Sequence, residues 1–222
     1  MNKPALCSKF VALTFITTLS LGNPASAEPV GDKAHSGFIP DYSLLQPVKS
    51  PDGIKISRYQ KPGASNENYA AIIIEPVFIN QSQVDEKLTP EVVEQTRQAL
   101  DKAVREHIAQ TRFRIVSEAG PGVARVAIAI SGAELDNEGL KPRNLMPISA
   151  ALKAVSFLAG KQSKIPALLV ESKITDSQSD ELLRAGMIAI NGETFRNESD
   201  TTAAFQRLAQ QAVTAAVTAS TK

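Results

Sequence analysis

Two periodicities alternate along the chain, and each change from one to the other marks an element boundary. Tyr69 to Ile79 (YAAIIIEPVFI) is apolar on both alternating faces except at Glu75 and Pro76, the pattern of a central strand covered twice. Thr89-Pro90 then supplies an N-cap followed by proline in the first helical turn. The helix it opens, to about Gln110, lines up Val93, Thr96, Leu100, Ala103, Val104 and Ile108 on one stripe and puts its charges mostly outside. Phe113 to Val116 and Arg125 to Ile130 predict two strands around a turn at Glu118 to Gly122. In the second of them Val126, Ile128 and Ile130 alternate with Ala127 and Ala129, so one face carries bulk and the other suits close approach, as by a helix.

A polar loop is expected over 131 to 146, then a short helix from Pro147 to Ala159 stopped by Gly160. Ala167 to Thr175 and Glu181 to Ile190 read as a hairpin across Asp176 to Asp180. On its first strand Leu168, Val170 and Ile174 face one way, and Leu169, Glu171 and Lys173 the other. An alanine-rich helix beginning at Ser199 or Asp200 closes the chain, with Phe205, Leu208, Ala209, Ala212, Val213, Ala216 and Val217 on one stripe. The expected fold class is α+β: a mostly antiparallel or mixed sheet of about five to six strands, with two long helices and one short helix packed on it.

Upstream of these elements, residues 28 to 53 hold Pro29, Gly31, Gly37, Pro40, Pro47, Pro51 and Gly53 and predict an irregular surface segment. Phe38, Ile39, Tyr42, Leu44 and Leu45 are apolar enough to tack it down, and Ile54 to Tyr59 alternates as a short edge strand. At the start, Lys3 and Lys9 precede an apolar run from Phe10 to Leu21, followed by Pro24 and Ala25-Ser26-Ala27. That is the order of a secretory signal peptide. At twelve residues the run is too short for a bilayer crossing, which needs roughly 20. The domain reading is therefore a signal peptide over 1 to 27, an irregular segment over 28 to 53 and a single α+β domain over 54 to 222. Cleavage between Ala27 and Glu28 would deliver a soluble protein to the periplasm, with peripheral contact to the outer membrane as a further placement.

Composition sharpens the export reading. The one cysteine, Cys7, lies in the segment to be removed, so no disulfide, thiolate nucleophile or cysteine metal ligand is expected in the mature chain. It also precedes the apolar run instead of following it, so no lipid anchor is expected. Without Lys3 and Lys9, the 24 basic residues fall to 22 against 23 acidic ones, a balance that points neither to nucleic acid nor to an anionic membrane. The absence of tryptophan weakens base-stacking or sugar-stacking readings.

Candidate chemistry is sparse. His107, near the end of the first long helix, suits the helix dipole better than a ligand role, and His35 falls in the irregular segment. With no second histidine four residues away and no carboxylate cluster, no metal site or cofactor is expected. Ser36-Gly37 and Ser131-Gly132 lack the strained Gly-x-Ser-x-Gly turn of a serine nucleophile. Lys153 and Ser156 share a helical face only at chance spacing, and Gly120-Pro121-Gly122 lacks the lysine of a phosphate loop. Glu75 and Glu171 each interrupt an apolar strand, and carboxylates on neighbouring strands are how acid-base pairs are built. The simpler expectation is that each pairs with a cross-strand cation, such as Lys173 or Arg184. No catalytic, cofactor-binding or metal-binding residue is assigned.

Three stretches carry a family resemblance: Ser36-Gly37-Phe38-Ile39-Pro40-Asp41-Tyr42-Ser43-Leu44-Leu45, then Ile74-Glu75-Pro76-Val77, then Val170-Glu171-Ser172-Lys173-Ile174-Thr175-Asp176-Ser177 with Glu181-Leu182-Leu183. In order and spacing the chain resembles the bacterial lipoprotein family catalogued as domain of unknown function 3313. The resemblance implies a Gram-negative cell-envelope protein of α+β fold and carries over no catalytic residues. It also implies that Gly37, Phe38 and Tyr42 tether the N-terminal segment and that Asp176 to Glu181 is hairpin chemistry. Many members have a lipidated cysteine at the end of the signal, where this chain has Ala25-Ser26-Ala27. The functional expectation is an exported, non-enzymatic envelope protein that binds another envelope component, an envelope protein among the candidates, with the short helix and the loop before it as the binding surface. A periplasmic hydrolase or lyase using Glu75 or Glu171, and a self-assembling subunit, are the alternatives; oligomeric state is left open.

Overall fold

A computed structural model describes residues 35–50, 54–136 and 164–220. The stretch expected as a signal peptide, residues 137 to 146 of the expected loop and the whole of the expected short helix from Pro147 to Ala159 lie outside the described residues.

The strands are β1 (Gln46–Val48), β2 (Ile54–Gln60), β3 (Ala71–Ile74), β4 (Phe78–Ile79), β5 (Arg114–Ile115), β6 (Val123–Asp136), β7 (Ile165–Asp176) and β8 (Leu182–Asn191). The two long helices are α1 (Pro90–Ala109) and α2 (Thr201–Ser220). Together the strands form one sheet in the order β1-β2-β8-β7-β6-β3-β5, with β4 on β6 beyond the end of β3. β1, β2, β8, β7 and β6 pair antiparallel, whereas β3 runs parallel to both β5 and β6. The architecture is α+β with a mostly antiparallel sheet, and it has more strands than the sequence pattern marks.

α1 begins as its sequence dictates. Thr89 accepts the Val92 N–H at 3.3 Å through Oγ1, and Pro90 stands in the first turn, where its missing N–H costs nothing. Val92, Val93, Thr96, Leu100, Val104 and Ile108 are its buried stripe. That stripe meets Phe205, Leu208, Ala209, Ala212 and Ala215 of α2, and both helices pack on the sheet face formed by Ile56, Ile72, Ile74, Val126, Ile128, Ile130, Leu168, Val170, Ile188 and Ile190. The two faces of β7 divide as their alternation requires, with Leu168 and Val170 in this core and Ala167 and Leu169 in a smaller cluster with Met187, Ala189 and Leu45 behind the sheet.

Several expectations are corrected by long-range pairing. The stretch read as irregular contains a 3-10 turn at Tyr42–Leu44 and the strand β1, which as an outermost strand tolerates Pro47. β1 also displaces β2 from the edge, since β2 pairs with β1 on one side and β8 on the other. The Tyr69 to Ile79 strand is two strands, because Glu75, Pro76 and Val77 interrupt it. Residues 131 to 136, expected as loop, continue β6 past a bulge between Ile130 and Gly132. A glycine inside a strand pattern is the mark of such a bulge, and Gly132 is needed there: a Cβ would lie 3.2 Å from the Cβ of Leu169. Finally, the small face of β6 receives neither α1 nor α2; Ala127 and Ala129 lie opposite Lys173 and Glu171 on the face away from both.

Candidate functional site

The back face of the sheet holds the polar cluster on which any chemistry would have to draw. It is built around Glu171, near the middle of β7, whose side chain points away from the helices because its neighbours Val170 and Ser172 point toward them. Ala129 of β6 and Met187 of β8 flank it. Glu171 is 1% exposed, and among the described residues no other charged side chain is buried. An ionised carboxylate there needs partners, and the N-terminal segment brings them.

The Ser36 hydroxyl donates to Glu171 Oε2. Ser36 Oγ also lies 2.9 Å from the Tyr42 hydroxyl and accepts the Phe38 N–H at 3.1 Å. The Ile39 N–H donates to the Tyr42 oxygen at 3.3 Å, and the His35 ring stacks on the Tyr42 ring with centroids 3.9 Å apart. Beside this network Lys173 donates to the Phe38 carbonyl at 3.2 Å and lies 4.7 Å from the centre of the Phe38 ring. Ile39 completes the contact as one of the most buried side chains, at 1% exposure. Gly37, at φ +77°, supplies the left-handed turn that lets Ser36 and Phe38 engage at once.

The electrostatics follow from burial. Desolvation pushes the Glu171 carboxyl above its usual range, opposed by the hydroxyls of Ser36, Tyr42 and Ser131 and by the charge of His35. Burial likewise pushes the Tyr42 phenol up. Ser131 reaches this site because it is the extra residue of the β6 bulge, which aims its side chain at the carboxylate from outside regular hydrogen-bond geometry.

Glu171 thus meets hydroxyls, not the expected cation: Lys173 is turned to the Phe38 carbonyl. Glu75 does find a cation, but on β6, with Arg125 Nη1 3.1 Å from its Oε1. The two carboxylates have separate partners. Of the two histidines, His35 is stacked on Tyr42 and His107 lies in the last turn of α1. Among the described residues no three His, Cys, Asp or Glu side chains gather as a metal site, and no helix is long and apolar enough to cross a membrane. Lys153 and Ser156 lie outside the described residues.

Sequence reasoning singled out both Glu171 and the Ser36 to Leu45 segment, yet did not connect them. They are 135 positions apart, and no local pattern reports that contact. The available signal was chemical: a carboxylate at a core position of a strand requires donors, and a hydroxyl-rich segment with apolar anchors can supply them.

The chain is 24% identical over 197 residues to the uncharacterised lipoprotein YdcL of Escherichia coli (strain K12), covering 86% of each protein. Among solved structures it is similar to a DUF4136 family protein from Bacteroides thetaiotaomicron, at 12% identity and TM-score 0.44 over 77% of this chain and 97% of that one. It is also similar to the PelC dodecamer from Paraburkholderia phytofirmans, at 8% identity and TM-score 0.38 over 72% of this chain and 94% of that one. The model of the family described as Protein of unknown function (DUF3313) matches residues 34–218, a span that takes in the anchored segment and both strand carboxylates, and the chain belongs to that family.

Proposed function

We propose that this protein is an exported, non-enzymatic cell-envelope protein that acts by binding another envelope component. The observation that carries the reading is the use made of Glu171. The one buried carboxylate of the described residues is spent on fixing the N-terminal segment to the back of the sheet, with Ser36 and Tyr42 closing over it. A general acid or base must instead reach a substrate proton. Glu75 is likewise held by Arg125. The likeness to an uncharacterised lipoprotein supports an envelope location, and the charged, apolar, small-residue order of residues 1 to 27 supports export.

The test is crosslinking in the native host. Phe78 and Ile115, the large apolar side chains that stand exposed at 56% and 46% among the described residues, are the positions at which to install a photo-crosslinker. An envelope component should be captured from one of them and not from the solvent-facing Lys102 of α1. Recovery of the uncrosslinked monomer alone from both would overturn the reading. Of the surface expected to bind, the short helix and residues 137 to 146 of the loop before it lie outside the described residues, and residues 131 to 136 are part of β6.

Placement in the envelope has its own test. With Cys7 before the apolar run and Ala25-Ser26-Ala27 after it, the mature protein should begin at Glu28 and carry no acyl chain. Intact mass of the purified periplasmic fraction reads this directly. A protein that partitions into detergent with a modified N-terminus would show that it is anchored as its lipoprotein relatives are named.

A further inference from the structure

The register of β2 against β8 brings together two cations that the envelope-binding role does not use. Arg58 lies opposite Gly186, and Arg184 lies opposite Gln60, so the two arginines are diagonal neighbours on one face of the pair. At that spacing long side chains meet. The face is the helix-covered one, since Ile56 and Ile188, two positions away, belong to the main core.

Arg58 has a structural duty there. It donates to the carbonyl of Ala219 in the last turn of α2, a helix end that favours a cation. Arg184 has none. Among the described residues it makes no hydrogen bond and no ion pair, although it is half-buried. Burial, and after it the charge of Arg58, lowers its pKa. Among the described residues no carboxylate pairs with either arginine, so the two adjacent like charges repel one another, and an anion placed between them would relieve that repulsion.

A cavity lies beside this pair. It encloses about 270 Å³, and its lining includes Arg58, Arg184, Ser172, Ile56, Ile188 and Ala216. This is a little below the ~300–1,000 Å³ of pockets that take drug-sized ligands, so it suits a small molecule. Gly186 keeps it open: a Cβ at that position would come within 3.1 Å of Ser172 Oγ. Arg184 also borders a second hollow of about 110 Å³ that reaches Tyr69 and Phe113.

We propose that this cavity binds a small molecule bearing an oxyanion, a phosphate or a carboxylate, which the Arg184 and Arg58 guanidinium groups grip while Ile56 and Ile188 hold the molecule's apolar part. Guanidinium pairs with both anions in the same forked geometry, and the Ser172 hydroxyl adds a donor at the cavity floor. The site is independent of the carboxylate cluster behind the sheet and of whichever partner the exposed strands meet.

Calorimetric titration of the full chain with phenyl phosphate and with benzoate tests this, using phenol as the neutral analogue. At least one of the two anions should bind, phenol should not, and the tighter anion identifies the oxyanion. Phosphatidylglycerol vesicles that compete with phenyl phosphate would assign the anion to a lipid headgroup; vesicles that do not would assign it to a soluble molecule. Arg184→Gln should weaken binding about tenfold or more, the scale of losing a charge-assisted bond. Gly186→Ala, which narrows the cavity and leaves both charges, should weaken it as well and serves if the first variant fails to fold. Lys102→Gln, on the exposed side of α1, should bind as the parent does. No binding of either anion at millimolar concentration, phenol binding as tightly as phenyl phosphate, or unchanged binding in both cavity variants would overturn the proposal.

Discussion

Phe205→Ala should cost about 3–5 kcal/mol of folding stability, the range for truncating a fully buried aromatic side chain. Phe205 is 0% exposed and sits in the first turns of α2, where the helix meets both the sheet and α1. The size of the effect follows from the composition of this helix. Ala204, Ala209, Ala212 and Ala215 are its other buried apolar positions apart from Leu208, so α2 approaches its neighbours closely and only two side chains fill the remaining space. Neither the alanines nor the neighbouring strand residues can expand into the volume that a missing ring leaves, which makes the cavity term large. For a protein of this size each kcal/mol lowers Tm by about 2–4 °C, so a fall of roughly 6–20 °C is expected. Urea denaturation of the parent and the variant measures it, and a loss under about 1 kcal/mol would mean that α2 does not seat its ring as described.

Glu171 should divide two substitutions sharply. Glu171→Ala removes the acceptor and leaves Ser36 and Tyr42 with hydroxyls turned toward an apolar space, at a cost of about 1–3 kcal/mol. The loss should concentrate at residues 35 to 45, so early cleavage by a broad-specificity protease within that segment is the local readout. Glu171→Gln keeps an oxygen to accept from Ser36 and has no charge to bury, so it should hold the segment in place. The sign of the pH effect follows from the raised pKa of the carboxyl. In the folded protein Glu171 resists ionisation, whereas in the unfolded chain it ionises near its ordinary 4.5. The protonated form therefore stabilises fully below that value, and the contribution is lost as pH rises through the folded pKa. Relative to Glu171→Gln, the parent should lose stability as pH rises from about 4.5 through the raised pKa of the folded state. A difference that stays flat over that range, or a parent that gains on the variant as pH rises, would show that the carboxylate is fully compensated in its charged form.

Local elements were legible in the sequence wherever neighbours along the chain decide them. Thr89-Pro90 starts α1, the 3.6-residue stripe places its core face, and Asp176 caps the β7–β8 turn by accepting from the backbone N–H groups of Gln178 and Ser179, each at 3.0 Å. Asp180, at φ 56°, completes that turn in a conformation that aspartate tolerates. The division of β7 into a core face and a back face was legible for the same reason, since alternation is a property of the strand itself.

What escaped the pattern depends on partners far away in the chain. β1 is three residues long and contains a proline, so only its pairing with Ile56 to Arg58 makes it a strand. The bulge at Ser131 matters only because β7 lies alongside, and only then does a loop-like Ser-Gly become a means of aiming a hydroxyl at Glu171. The parallel pairing of β3 on both sides likewise requires α1 to carry the chain back across the sheet.

The sequence by itself determined the two long helices, the hairpin, the faces of the long strands and the presence of two carboxylates, Glu75 and Glu171, that interrupt apolar strands. Only the tertiary structure decided that Glu171 meets Ser36 and not a cation, and that Arg58 and Arg184 stand together beside a cavity. The reason is physical: periodicity and capping arise from interactions over a few residues, whereas the surroundings of a buried charge are set by strand register between segments more than a hundred residues apart.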